Sequence, residues 1–528
     1  MKILFSILFF LSVLYTQAQE YYHNEIFNQN LTSEICSDIL VNESSYVVLS
    51  NTFIYSPDNQ NLGDLIVLRE FDFEGNLINS DSLEVFGCTV WSMLSDNVIK
   101  TNDGGYLLAW KACIGRLFKF NQNLQFEWEI QFEDVDKLFA LEKAENRYLL
   151  LGQVVDDEGQ GDLWIGFVDS LGNIESELVY GDEVKHDQIH WIEPTSDGGY
   201  LLSGGRYHTW NPLLVKIDSL GNVQWEKTYA EPGFQHGWGI ARAYSDSAFV
   251  LLYGNAIEYD FVDPYALTEL KLVLLNDTGE VITELNSSEA VEGLYVRDLK
   301  IVGEDIYCLF NQFNEPPENP NSFRESHLLK YNMNTGVVWE RAYRGFSTSQ
   351  DELSLMDLEL IENPENEIEF LMAGFLYDYS LTGSLLQCTW VLGADCQGYS
   401  STPELSIQTQ VSDVQNPGDL VFENTGTQLD TLNWWFSTGE ISNLQSPELT
   451  FENNGAYQVE LSAPYCGNII STVDSFVVAG VGIEEITKTK KTIVKTIDVL
   501  GRVVPENYKG QVIDIFDDGT VRKRYKLN

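Results

Sequence analysis

The pentapeptide Asp169-Ser170-Leu171-Gly172-Asn173 recurs unchanged as Asp218-Ser219-Leu220-Gly221-Asn222. A second motif interleaves with it: Asp103-Gly104-Gly105-Tyr106-Leu107-Leu108 matches Asp197-Gly198-Gly199-Tyr200-Leu201-Leu202. Degenerate copies stand at Ser45 to Leu49, Asn146 to Leu150, Ser247 to Leu251, Glu304 to Leu309 and Glu367 to Leu371. Each copy is a polar turn followed by an aromatic or apolar strand. Their aromatic positions, at 46, 106, 148, 200, 249, 307 and 370, lie 42 to 63 residues apart and count seven units. A chain that repeats at this spacing folds as an array of one supersecondary unit.

One unit reads clearly at 188–229. Gln188 to Glu193 is a short strand and Asp197-Gly198-Gly199 a tight turn. Tyr200 to Gly204 is a second strand, Leu213 to Ile217 a third, and Val223 to Tyr229 a fourth. Glycine serves where a turn demands positive φ, and Asp or Asn suits the flanking positions. Four antiparallel strands per unit, seven times over, predict an all-β chain built on a seven-bladed β-propeller at 20–398. No long amphipathic helix interrupts it. The seventh unit runs out at Gly393 to Gly398 without a fourth strand, and Tyr21 to Phe27 lies unclaimed before the first unit. The expectation is that this N-terminal strand, 21–27, completes the last blade and removes an open edge.

Composition limits the setting. Met1-Lys2, the apolar run Ile3 to Leu14 and Thr16-Gln17-Ala18 have the form of a signal peptide at 1–19. No later stretch reaches the ~18 apolar residues of a transmembrane segment. The expected location is secreted or cell-surface. A formal net charge of −49 disfavours nucleic acid and anionic lipid. All seven cysteines lie beyond residue 19, and export permits disulfides. Cys88 with Cys113, and Cys396 with Cys466, are candidate pairs, with Cys388 a rival partner for Cys396; spacing does not set the connectivity.

Beyond a Ser-, Thr- and Pro-rich linker that starts at Tyr399, Trp434, Phe436 and Gly439 stand in one strand-like segment. Gly455, Tyr457, Val459 and Leu461 stand in a second, followed by Cys466-Gly467. This segment, 399–480, resembles the PKD family of Ig-like β-sandwich modules, which implies a spacer or adhesive role. Thr438 replaces the acidic residue before the family's glycine, so calcium is unsupported and no cofactor is identified. The remainder, 481–528, carries Asp498, Gly501 and Arg502, then Arg522, Lys523, Arg524 and Lys526. It resembles the C-terminal sorting domains of type IX secretion, without their usual Tyr-Pro-Asn-Pro opening. That resemblance implies the secretion machinery as a partner.

Long, irregular loops on one face of the ring are the expected place for ligand contacts: Ile54 to Gly63, Val155 to Asp162, Ala256 to Tyr265 and Asn314 to Ser326. His186, Asp187, His190, His208, Trp210, His236 and Trp238 map to neighbouring loops on that face. Aromatics with polar edges bind a glycan or a peptide, whereas the histidines lack the tight spacing of a metal site. Nucleophile-elbow, Walker and zincin motifs are absent. The reading is a non-enzymatic binding or adhesion protein. The alternatives are a carbohydrate-active hydrolase or lyase with its site over the channel, and a structural surface protein without a specific ligand.

Overall fold

The structure, a computed structural model, describes residues 23–27, 34–55, 61–86, 97–111, 114–144, 147–155, 161–181, 187–206, 211–229, 239–258, 267–287, 291–314, 323–344, 352–362, 367–378, 386–400, 403–413, 416–429, 431–466, 468–479, 481 and 491–526. The regular elements among them are all β-strands. None of these residues belongs to a helix long and apolar enough to cross a membrane. The chain divides into two compact units, Met1–Ser400 and Ser401–Asn528.

Among the described residues the first unit holds seven antiparallel sheets, in six of which the four main strands lie side by side in chain order. The first sheet is Glu34–Val41, Ser45–Tyr55, Asn61–Asp72 and Leu77–Phe86. The second is Val98–Lys100, Tyr106–Lys111, Gly115–Phe120 and Phe126–Phe132; the third is Lys137–Ala144, Arg147–Val155, Gly161–Val168 and Ile174–Tyr180. The fourth is Asp187–Pro194, Tyr200–Arg206, Asn211–Ile217 and Val223–Thr228. The fifth is Ile240–Ser245, Ala248–Glu258, Leu267–Asn276 and Val281–Ser287, with Val291–Glu292 added to its third strand. The sixth is Leu294–Val302, Asp305–Asn314, Phe323–Asn332 and Gly336–Tyr343. The seventh has Glu352–Glu362, Ile368–Asp378 and Leu386–Ala394 in chain order, and its outer place is taken by His23–Phe27. That strand pairs from His23 opposite Gly393 to Phe27 opposite Thr389.

Position in the sheet decides burial. Tyr200–Arg206, a second strand, is buried on both faces for six of its seven residues, so it reads as a continuous apolar run. Ile174–Tyr180, a fourth strand, is almost wholly exposed. Seven apolar clusters fill the spaces between successive sheets. The last joins Leu371, Ala373 and Val391 of the seventh sheet to Cys36, Ile39, Tyr46 and Val48 of the first. Burying one such Leu or Val contributes about 1.5–3 kcal/mol, so these layers dominate the cohesion of the unit. The arrangement is β-propeller-like. The seven aromatic positions of the repeat all lie in second strands and are buried, from Tyr46 and Tyr106 to Phe370.

The second unit contains a three-stranded sheet, Ile407–Asp413, Asn416–Asn424 and Glu448–Thr450, and a four-stranded one, Ile441–Ser442, Asn433–Phe436, Gly455–Tyr465 and Asn468–Val478. Side chains alternate along Asn433–Phe436: Trp434 and Phe436 are buried and Trp435 is exposed. Phe422 of the first sheet meets Phe436 of the second at 4.9 Å between ring centroids and Phe476 at 5.2 Å, so the sheets share an aromatic core. Ile493–Asp498, Gly510–Phe516 and Val521–Lys526 form a third, antiparallel sheet.

Candidate functional site

The first strands of all seven sheets converge on one cavity of about 330 Å³, large enough for a small molecule. Its wall is mostly apolar where the first two sheets supply Ile39, Leu40, Val98 and Ile99, with Asp38 among them. It is charged where the other five supply Glu142, Glu193, Arg242, Lys300 and Glu359. Apart from Val98, which opens its strand, these residues come from the middle or the C-terminal half of each first strand, the half that leads into the short turn.

Three buried aspartates set the electrostatics behind this wall, and a local irregularity places each. In the first sheet the pairing jumps from Cys36 opposite Ser50 to Asp38 opposite Leu49. The same one-residue bulge precedes Asp298 in the sixth sheet and Asp357 in the seventh. A bulge re-aims the side chain that follows it. Each carboxylate reaches the next sheet around the ring. Asp298 Oδ2 accepts from the Leu358 amide at 3.3 Å, and Asp357 Oδ2 from the Ile39 amide at 2.8 Å. Asp38 Oδ2 accepts from the Asn97 and Val98 amides at 2.7 and 3.0 Å.

Basic residues compensate in part. Lys300 Nζ lies 3.4 Å from Asp298 and 3.1 Å from Glu359. Arg242 lies 3.5 Å from Asp298 and 3.8 Å from Glu193, and donates to the Ile192 and Leu299 carbonyls at 3.2 Å each. Burial opposes ionisation of Asp298, but the charges of Lys300 and Arg242 outweigh it and hold its carboxyl low. Burial, then the neighbouring Asp38 and Asp298 charges, push Asp357 well up. Asp298 and Asp357 meet at one main-chain amide: Leu358 N–H donates to Asp298 Oδ2 at 3.3 Å and to Asp357 Oδ1 at 2.9 Å. The pair therefore combines a carboxylate with a carboxylic acid, because two like charges at that range cannot both ionise cheaply.

Most residues of the expected ligand face are not among the described ones. His186, His208, Trp210, His236 and Trp238 fall outside the described residues, as do Cys88 and Cys113. Asp187 opens the first strand of the fourth sheet, opposite Arg206. His190, read from the sequence as a loop residue, is inside that strand at its bulge; its side chain is 1 % exposed and meets Trp191 edge-on at 5.8 Å. Local pairing outlasts the polar composition of the strand ends, so the irregular loops are shorter than they read: strands continue to Tyr55, Val155, Glu258 and Asn314. Cys396 and Cys466 are both disulfide-bonded. Cys36 and Cys308 are free thiols, both buried. Sequence reasoning missed Asp38, Asp298 and Asp357. Their signal is an acid followed by an aliphatic inside an apolar first strand: Asp38-Ile39, Asp298-Leu299 and Asp357-Leu358.

No family model and no curated protein matches the chain. Among solved structures, it is similar to the β-propeller domain of the Trilobed protease from Pyrococcus furiosus, at 10% identity over 70% of this chain and 96% of that one, with a TM-score of 0.37. It is also similar to the lignostilbene dioxygenase of Pseudomonas brassicacearum, at 13% identity over 72% and 89%, with a TM-score of 0.41. Cobalt-substituted ACO of Synechocystis gives 12% identity over 73% and 93%, with a TM-score of 0.42.

Proposed function

We propose that the chain is an exported seven-bladed β-propeller followed by a PKD-like sandwich at 399–480 and a sorting-like tail at 481–528. In this reading it works by holding a ligand, a glycan or a protein, rather than by turning one over. The observation that carries it is how the charged groups at the centre are engaged. Asp38, Asp298, Asp357 and Glu193 each accept a main-chain N–H from the neighbouring sheet, and Arg242 donates to two main-chain carbonyls. A general acid or base must reach the proton it moves, and these groups are committed to holding sheets together. The seven inter-sheet clusters support the blade count.

The tail supports the export reading through its own chemistry. Asp498 accepts from the Leu500 and Arg502 amides at 2.9 Å each, fixing the hairpin of the sorting-like motif. Asp514 anchors Arg522 and Arg524 beside it. The decisive experiment screens the chain lacking residues 1–19 on a glycan array and then assays every hit for turnover. Binding without turnover is expected. Turnover would transfer the cavity to a carbohydrate-active hydrolase or lyase, and the absence of both would leave a structural surface protein.

A further inference from the structure

We infer that the contact between the seventh and first sheets is a proton-operated latch, in which the Asp357 carboxyl keeps its proton beside Asp298, and loss of that proton loosens the seam. The seam is where the two ends of the ring meet, since the seventh sheet holds both the last strand of the unit and His23–Phe27. Three buried carboxyl groups stand around it in a row, at 0–3 % exposure: Asp298, Asp357 and Asp38. They come from three successive first strands and occupy the same place after the bulge. Asp357 is the middle one. Its Oδ2 takes the Ile39 amide of the first sheet at 2.8 Å, and its Oδ1 the Leu358 amide at 2.9 Å.

The charges that bear on Asp357 do not favour its ionisation. Asp298 faces it from the sixth sheet and Asp38 from the first, with Glu359 on its own strand; Lys300 is the basic group acting on it. Cys36 of the first sheet also lies within its field. Lys300 and Arg242 are drawn to Asp298 instead. As an acid, Asp357 is uncharged beside Asp298 and still accepts the Ile39 amide. As an anion it stands between two other carboxylates with no solvent to screen them, and releasing the seam relieves that repulsion. The step is a simple ionisation: the O–H bond breaks and the proton leaves for solvent.

Two free thiols report the opening. Cys36 is 0 % exposed and belongs to the cluster that joins the seventh sheet to the first. Cys308 is equally buried, in the cluster between the fifth and sixth sheets. Labelling the native full-length chain with a maleimide and quantifying the two peptides by mass spectrometry gives a ratio from which the general pH dependence of thiol reactivity cancels. The Cys36 to Cys308 ratio is expected to rise with pH, by up to about tenfold per pH unit between the ordinary carboxyl value and the raised one. Asp357→Asn keeps an acceptor for Ile39 but has no proton to lose, so its ratio stays flat. Asp298→Asn removes one opposing charge, so the rise levels off at lower pH and is smaller. A flat ratio in the unaltered chain, or the same rise in the Asp357→Asn chain, overturns the latch. Asp298→Asn keeps the test decisive if Asp357→Asn fails to fold: an unmoved rise there also overturns it.

Discussion

An Asp or Asn that accepts the amides two and four residues ahead closes the turn that follows the third strand in sheet after sheet: Asp72, Asn121, Asp169, Asp218, Asn276 and Asp395. Asp218 shows the geometry, with the Leu220 amide at 2.8 Å and the Asn222 amide at 2.9 Å. The next requirement is the glycine. Gly221 has φ +90°, a left-handed conformation, and a Cβ there would lie 3.2 Å from the Phe167 ring of the third sheet. Gly221→Val is expected to cost about 1–2 kcal/mol, measured as a lowered urea midpoint with an unchanged slope. The same turn titrates differently by location. Burial raises Asp395 to about 6, whereas the exposed Asp218 is held below its ordinary value by Asn222. Because the folded Asp395 keeps its proton longer than the unfolded one, this group's contribution to stability falls as pH rises from about 4 to about 6. Asp395→Asn, a residue the turn already uses at 121 and 276, removes that dependence and is expected to stabilise the first unit above pH 6 by about 1–2 kcal/mol, read from denaturant midpoints across pH. His327 gives the same sign at higher pH. Burial would lower it, but hydrogen bonds to Glu325 and Glu340 prevail and hold it at about 9. Its contribution is fully present below about 6.5 and is lost as pH climbs through about 9. His327→Gln flattens the alkaline limb of the stability profile, and an alkaline limb identical to that of the unaltered chain would remove His327 as its source.

At the scale of elements, a lysine late in the third strand ties the two short turns of a sheet together. Lys216 Nζ reaches Asp197 in the first-to-second turn at 2.8 Å and the Ile217 carbonyl at the third-to-fourth turn at 3.1 Å. Lys119 does the same with Asp103 at 3.0 Å and the Phe120 carbonyl at 3.0 Å. Close approach of these strands needs Gly199 and Gly105; a Cβ on Gly199 would meet the Ile217 carbonyl at 2.2 Å. Against some desolvation, Lys216 and then Thr195 hold Asp197 at about 2, so its contribution is present above the ordinary carboxyl value near 4 and fades as pH falls through about 2. Asp197 is half exposed, and solvent screening limits the pair: Lys216→Met is expected to cost about 0.5–1 kcal/mol at neutral pH and to shrink the acid-side loss, in a urea series at stepped pH. Much of this level is legible in the sequence. Asp-Gly-Gly-Tyr and Ser-Leu-Gly-Asn are local instructions, and the strands they bound in the fourth sheet, Tyr200–Arg206 and Asn211–Ile217, end within two residues of where the pattern places them. The central aspartates are not legible in the same way. Asp38, Asp298 and Asp357 sit 8, 9 and 13 residues before the aromatic of the following strand, because bulges and turns of unequal length break the period. Their partners lie up to 318 residues away, as with Asp357 and Ile39, and no local pattern encodes that pairing.

At the scale of the whole first unit, the ends of a 400-residue segment are joined by a strand of only five residues. His23–Phe27 covers the outer edge of Leu386–Ala394, whose inner edge is already paired to Ile368–Asp378. Without it, the third strand of the seventh sheet would present a row of unpaired N–H and C=O groups with no fourth strand to cover them. The seam also has an apolar layer supplied by other strands, with Leu371, Ala373 and Val391 against Tyr46 and Val48. The loss is therefore local rather than global. Deleting residues 20–27 together with the preceding segment is expected to leave the far-ultraviolet circular dichroism of a β protein. It should lower the thermal midpoint by several degrees, as removal of about 1–3 kcal/mol does in a domain of moderate size. The stronger signature is association. An uncovered edge strand is a template for pairing with another chain, so the truncated protein should elute as dimers or larger species that grow with concentration. Supplying a peptide of sequence 20–27 in excess should return it to the monomer, because the peptide competes for the same edge. A truncated chain that stays monomeric at high concentration and melts with the full chain would show that the strand is dispensable, and that the seam is held by its apolar layer and its buried carboxyl groups alone.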